Sequence, residues 1–378
     1  MELSTTAKWL RFNLFAKPFD TVLTLIVVPT LLWIVFSLAH WALSIANWDV
    51  IQSSAKVLMT GIFPDEELWR AWIAAGAIGV MFALVASTAI RLTTTRLVVG
   101  LAITALLTAL SVSVSQETGI KTLAVCFVTV AAWAIATRLS FVKLYSLRIA
   151  AVLCALFIAL LYPVGPSRWG GLLLSVVLTI CSAILTIPLG ILLAFGRCSK
   201  VGSIRVLATA YIEVMRAVPL ILIVYLIWIA QPLLIPSLQV PDVIRGLIGF
   251  VLFYSAFAAE YVRSGLQAVP RGQVEAAEAL GFSDWDIKRI VILPQAMRVA
   301  MPGLVGNTLD IFNYAPLVFI IGLTDFQRAG QMVLANPQNS GQTYEVYAFL
   351  FVSYFAIGSV ITFMARRLES HLGKGSHR

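Results

Sequence analysis

Ten stretches of this chain are each about as long as a bilayer core is thick, and that leaves it very few folds. A hydrocarbon core of about 30 Å takes roughly 20 predominantly apolar residues per helix, because every backbone polar group inside it must be satisfied without water. The stretches fall at approximately 20–46, 71–90, 97–114, 120–137, 147–163, 170–196, 204–234, 242–263, 295–322 and 346–366. The chain is 60% apolar and only 12% charged, where a soluble domain carries about a quarter charged residues. Its mean hydropathy is +0.92. The expectation is an all-α polytopic membrane protein of about ten transmembrane helices.

Lysine and arginine set the orientation, since they accumulate on the cytoplasmic side of membrane spans. With the N-terminus inside, the inside segments hold 20 basic residues, beginning with Lys8, Arg11 and Lys17 and ending with Arg366, Arg367, Lys374 and Arg378. The outside segments hold 6, namely Lys56, Arg70, Lys121, Arg168, Arg245 and Arg328, and Arg216 stays within a span. Both termini are therefore expected in the cytoplasm, with an uncleaved first span, because the first apolar run is too long for a leader and no small-residue cleavage site follows it. The net charge of +9 has the same origin. No basic run with interleaved aromatics points to nucleic acid.

Cys126, Cys154, Cys181 and Cys198 sit singly, without the paired spacing of metal or redox motifs. His40, His371 and His377 have no neighbouring carboxylate or thiol ligands. Neither a metal nor a catalytic group is expected. The run YPVGPSRWGG, Tyr162 to Gly171, is the dense proline and glycine punctuation between spans. It divides an N-terminal extension of about five spans, 1–165, from a core of five spans, 166–378.

Two polar excursions interrupt the core, one inside around 264–294 and one outside around 323–345. In the inside excursion, Glu275 to Phe282 favours a helix, with small Ala276, Ala277 and Ala279 leaving one side open. Gly281 suits the left-handed conformation that ends a helix, and Ser283 with Asp286 resembles a cap beginning the next. Two short helices meeting at an elbow follow, with Leu280 and Phe282 projecting from it. Exposed apolar tips mark a docking site, although the same pattern suits an amphipathic connector lying on the membrane.

The spacing Glu275-Ala276-Ala277, three residues, Gly281, nine residues, Val291, one residue, Leu293-Pro294 resembles the EAA loop of ABC importer permeases, with Val291 where that family usually has isoleucine. The flanks Tyr254-Ser255-Ala256, Ala259-Glu260, Arg263-Ser264-Gly265-Leu266-Gln267 and Pro270-Arg271-Gly272-Gln273 are similar to its polar amino acid uptake branch. So is Leu293-Pro294-Gln295-Ala296, followed by Arg298, Pro302 and Asn307. Trp9, Asn13-Leu14-Phe15, Thr21 to Leu25 and Tyr344-Glu345-Val346-Tyr347 further resemble the long permease subunit of general L-amino acid importers. The resemblance implies a type I ABC importer permease core in a bacterial inner membrane, with a coupling loop, 272–293, that docks an ATPase dimer through Glu275, Ala276, Ala277, Leu280, Gly281 and Phe282. It also implies a homologous permease partner in a heterodimer, a periplasmic amino-acid-binding protein and an L-amino acid as cargo. The chain carries no G-x-x-x-x-G-K-[ST] phosphate loop. ATP and Mg would act in the ATPase partner, and the chain itself would be no enzyme.

A zwitterionic amino acid requires a cation for its carboxylate and an acceptor for its ammonium. Arg216, about 12 residues into its stretch and so near the midplane by helix rise, would supply the first. Glu213 or Asp310 would supply the second, with Asn307 at similar depth. Glu213 and Arg216 would equally neutralise one another at i and i+3, or Arg216 and Asp310 would tie two helices together. Pro219 is expected to break the helix after Arg216. At Asn313-Tyr314-Ala315-Pro316-Leu317 the chain lacks the family's charged pair, and Ala217 replaces the usual glycine of its Arg-Gly-x-Pro-Leu pattern. The outside excursion, with Asp325, Gln327, Arg328, Gln331, Asn336 and Gln338, offers a polar surface suited to a soluble binding protein. The alternative function is an ion-coupled secondary transporter relaying ions through Arg216, Glu213 and Asp310, although no inverted repeat accompanies it.

Overall fold

The computed structural model describes residues 13–89, 93–139, 142 and 145–373. Lys8, Trp9, Arg11, Arg91, Lys143, Lys374, His377 and Arg378 lie outside the described residues. The chain forms two compact units, Met1–Val50 and Ile51–Arg378, a division that does not coincide with the compositional one near residue 165.

The described part of the first unit is essentially one helix, α1, Pro18–His40, begun by a proline whose missing N–H is an orphan at that position anyway. It is apolar on every side, as a single span facing lipid must be. Widened π turns, Trp41–Ile45, complete it, and the Trp48 indole closes onto the Ala42 carbonyl at 2.8 Å.

In the second unit a short helix α2, Ala55–Thr60, stops at Gly61, whose φ of +63° ends it. Four long apolar helices follow: α3, Leu68–Ala89; α4, Thr94–Val112; α5, Gln116–Arg138; and α6, Ser146–Leu161. Thr93 and Ser115 cap α4 and α5, accepting from the N–H groups of Arg96 and Thr118. α3 packs on α5 and α6, and α4 on α5.

The punctuation at 162–168 folds as two 3-10 turns. It leads into α7, Gly171–Arg197; α8, Gly202–Ala217; α9, Leu220–Leu234; and α10, Asp242–Ala268. After these come α11, Arg271–Ala279; α12, Leu293–Tyr314; α13, Phe326–Leu334; and α14, Thr343–Gly373. Among the described residues the only extended pairing is an isolated bridge between Gly171 and Asp325.

Each of the ten apolar stretches is helical. Among the described residues, seven helices are long and apolar enough to cross a membrane, or eight with α8 and α9 taken as one broken span. The remaining two stretches form shorter apolar helices, Arg96–Val112 and Arg148–Val164. The stretch 204–234 is thus not one straight helix: α8 and α9 meet at 111° across Val218 and Pro219.

α10 is the central helix of the second half, contacting α7, α8, α9 and α12. In lipid no hydrophobic force draws helices together, so small residues that let backbones approach do the work. A Cβ on Gly190 of α7 would stand 2.6 Å from the Ala258 methyl of α10, and one on Gly303 of α12 would stand 2.5 Å from the Tyr261 ring. Ala194, Ile212, Ala256, Ala258, Ala259, Val262, Ala300 and Leu304 fill the junction of α7, α8, α10 and α12.

Candidate functional site

The elbow between α10 and α12 is built by backbone hydrogen bonds. α11 ends in a Schellman closure, the Gly281 N–H donating to Glu278 O at 2.9 Å and the Phe282 N–H to Ala277 O at 3.2 Å. That closure needs a left-handed residue, and Gly281 supplies it with φ +78°. Ser283 then caps the next helix, its Oγ accepting from the Asp286 N–H at 3.2 Å and donating to Asp286 Oδ2 at 2.6 Å. The second helix is not short, contrary to expectation. Residues 284–286, a π segment at 287–292, α12 and a 3-10 end at 315–321 run on as a single 38-residue rod, Asp284–Ile321.

Of the six expected docking residues, Glu275, Ala276, Leu280, Gly281 and Phe282 lie on the open face. Leu280 is 77% exposed. Ala277 faces the other way, buried, and serves as the spacer by which α11 sits on the rod. Trp285, 68% exposed, belongs to the same apolar tip. The sequence signalled it, as an aromatic isolated among acidic residues in SDWD, but its face is set only by the Ser283 cap.

The second cluster joins α7, α8 and α10. Arg216 sits in the last turn of α8, at the corner where α9 departs, instead of midway along a span. Its acid partner is Glu260 of α10, at 3.7 Å, and its side chain is 38% exposed. Glu213 pairs with Arg197 at 2.8 Å, not with Arg216. Glu260 also binds Arg197 at 2.7 Å and Arg263 at 2.9 Å. Along α10 it lies about 12 Å from the elbow end at Ala268 and about 27 Å from Asp242, at 1.5 Å per residue. The cluster is therefore well off-centre, toward the elbow. Glu260 was legible as a lone carboxylate inside an apolar stretch, which by itself marks a functional position.

Asn307 and Asp310 occupy different faces of α12. Asn307 is buried against α10, its amide donating to the Tyr254 carbonyl at 3.3 Å. Asp310 is exposed, in line with exposed Gly306 and Tyr314 at four-residue spacing. Among the described residues no basic side chain lies within ion-pair distance of Asp310. The structure thus joins Glu213 and Arg216 in one network and sets Asn307 and Asp310 apart from it. The Asn313–Leu317 departure marks the change from α to 3-10 winding at Ala315.

At the opposite end, Asp325 is not part of a polar surface. It is fully buried, capping α13 by accepting from the N–H groups of Gln327 at 2.9 Å and Arg328 at 3.1 Å. Burial pushes its carboxyl up to about 6, against the lowering effect of those bonds. Arg328, Asn336 and Gln338 do face outward. Among the described residues no group of three or more His, Cys, Asp or Glu is placed to hold a metal, and the four cysteines are free thiols.

Residues 186–374 match the family described as binding-protein-dependent transport system inner membrane component. The inner membrane amino-acid ABC transporter permease protein YhdY of Escherichia coli K12 is 30% identical, over 97% of this chain and 93% of its own length. The glutamate/glutamine/aspartate/asparagine transport system permease protein BztC of Rhodobacter capsulatus is 28% identical over 98% and 94%. A crystal structure of an amino acid ABC transporter with histidines aligns with 53% of this chain and 91% of its own, at 27% identity and a TM-score of 0.47.

Proposed function

Because the chain belongs to the family of binding-protein-dependent transport system inner membrane components, we propose that it is the permease subunit of an ATP-driven importer of L-amino acids. The observation that carries this reading is the elbow, whose exposed Leu280, Phe282 and Trp285 form an apolar tip on an otherwise polar excursion. The basic-residue bias, 20 against 6, puts that tip and both termini in the cytoplasm, where ATP is found. Full-length similarity to permeases of amino-acid transport systems supports the cargo class.

An ATPase dimer docks on the tip and supplies the bound ATP and Mg; a homologous permease completes the membrane pore as a heterodimer; a binding protein delivers cargo to the far side, against exposed Arg328 of α13 and Asn336 and Gln338 just after it. Only Val269 and Pro270 separate α10 from α11, and the rod begins at Asp284 directly after the elbow. A push on Leu280 is accordingly delivered to α10 and α12 together. Arg216 receives the cargo's carboxylate near the elbow, and Asp310, farther along the pathway, attracts its ammonium at a separate stage of passage, with Glu213 and Asn307 fixing the helices that carry them. The core, 166–378, performs the transport, and the extension, 1–165, is accessory to it.

Reconstitution in liposomes tests the reading. Uptake of an L-amino acid should require the ATPase subunit, ATP and the binding protein together. Uptake driven by an ion gradient alone would refute it.

A further inference from the structure

Glu260 holds more cations than one carboxylate satisfies. Arg197 reaches it at 2.7 Å, Arg263 at 2.9 Å and Arg216 at 3.7 Å. With Glu213 included, three arginines face two carboxylates, leaving one surplus positive charge. The three claims are unequal. Arg197 and Arg263 make charge-assisted hydrogen bonds, which are the strong ones. Arg216 stands beyond hydrogen-bonding distance, is the most exposed of the three, and lies over the Phe257 ring at 5.6 Å. The surplus therefore rests on Arg216, at the corner where α8 gives way to α9.

The same carboxylate is mechanically placed. It sits on α10 ten residues before Pro270, and Arg263 links the network onward to Gln267 at 2.9 Å, one residue from the end of the helix. Across the network α8 has two direct ties to α10, Arg216 and the Tyr211 hydroxyl, which donates to Leu252 O at 2.8 Å and lies 3.2 Å from Ser255 Oγ, while Arg197 of α7 bridges Glu213 to Glu260 indirectly. Loss of the first tie leaves the second as a pivot.

We propose that Glu260 is a positioning residue that stands in for the cargo's carboxylate: secured by Arg197 and Arg263, it holds Arg216 loosely until an anionic cargo group takes Arg216 over, which releases the last turn of α8 from α10. Cargo occupancy is thereby converted into freedom of the broken span, beside the helix that the ATPase pushes. The inference rests on the reading of Arg216 as the carboxylate receptor, and it demands that cargo carry a free carboxylate even where the binding protein accepts an ester or amide.

The test uses the complete transporter in nanodiscs, measuring ATP hydrolysis with and without cargo-loaded binding protein, and uptake in liposomes. Glu260→Gln removes the competitor for Arg216. Hydrolysis without cargo should rise several-fold, uptake per ATP should fall, and KM for the amino acid should drop together with kcat. Glu260→Asp keeps the charge but shortens the reach, so it should retain the melting temperature while reproducing part of the uncoupling. Native cargo-free hydrolysis and native KM in both variants would overturn the proposal. So would a lowered melting temperature with unchanged coupling, which would make Glu260 purely structural. Arg216→Ala separates the two readings: unchanged KM in that variant refutes the receptor reading itself, whereas raised KM there with native behaviour in Glu260→Gln refutes only the part assigned to Glu260.

Discussion

The two ends of the core are held by opposite means. At the elbow end, α7, α8 and α10 are joined by part-exposed charges on Arg197, Glu213, Arg216, Glu260 and Arg263. At the other end, backbone lies on backbone. Gly61, Gly170 and Gly171 pack directly against one another, and the Gly171 N–H donates to Thr324 O at 2.7 Å, beside buried Asp325. Charge pairs with access to water exchange partners at little cost, since their net contribution is small. Close-packed backbones have no alternative arrangement to move to. The difference teaches which end is built to rearrange. It also gives α2 a place: Leu58 to Gly61 brace the rigid end, outside the segment that matches the family.

The comparison breaks most directly at Gly171. Its φ is +59°, and a side chain there would run into the Leu58 carbonyl and come within 2.7 Å of the Met59 carbonyl carbon. Gly171→Val combines left-handed strain with overpacking, about 4 kcal/mol in sum. Folded protein should be lost, as read by detergent yield and thermal melting. A variant melting like the native protein would mean that this end yields as readily as the other.

At the elbow end the same test has the opposite expectation. Arg216→Ala removes a cation whose internal pair is long, so the melting temperature should hold. The receptor reading requires KM for uptake to rise roughly 10- to 100-fold, the worth of a hydrogen bond to a charged group. A large fall in melting temperature with unchanged KM would make this network a structural clamp, like the glycine junction.

These two ends were not equally legible. The helices themselves were, because lipid demands long apolar runs and hydropathy records them. The elbow's local chemistry was legible too, since Gly281 and Ser283 act through hydrogen bonds to residues within five positions. What the sequence hides is partnership over distance. Arg197 and Glu260 are 63 positions apart, so the Glu213–Arg216 pairing suggested by helix spacing lost to partners on α7 and α10. Asn307 and Asp310, three residues apart, end on different faces because α10 covers only one of them. Asp325 looked solvated because polar neighbours surround it in sequence, whereas Phe326, Ala329 and Val333 pull the start of α13 inward.

Asp325 sharpens the comparison through pH. Its ordinary value is 3.8 and its folded value about 6, raised chiefly by burial. A raised acid favours the folded state fully below the unfolded value, and that contribution is lost as pH rises through the folded value. Stability at the rigid end should therefore fall between about pH 4 and pH 6, by something on the order of 3 kcal/mol. Melting temperatures should be higher at pH 5 than at pH 7.5. Asp325→Asn keeps an oxygen to cap α13 and should flatten that dependence.

The smallest structural effect is expected at Gly281, and it separates conformation from space. At φ +78° nothing lies within 4 Å of where a side chain would begin, unlike the crowded glycines of the opposite end. Gly281→Ala should cost about 1 kcal/mol of backbone strain and little else. The proposed coupling role predicts a larger functional change, because the Schellman closure aims Leu280 and Phe282 and a relaxed closure redirects both. Uptake per ATP hydrolysed should fall while the yield of folded protein stays native. A change in yield with native coupling would instead put Gly281 among the glycines that hold the fold, and the division between a movable and a fixed end would no longer follow the chemistry of their contacts.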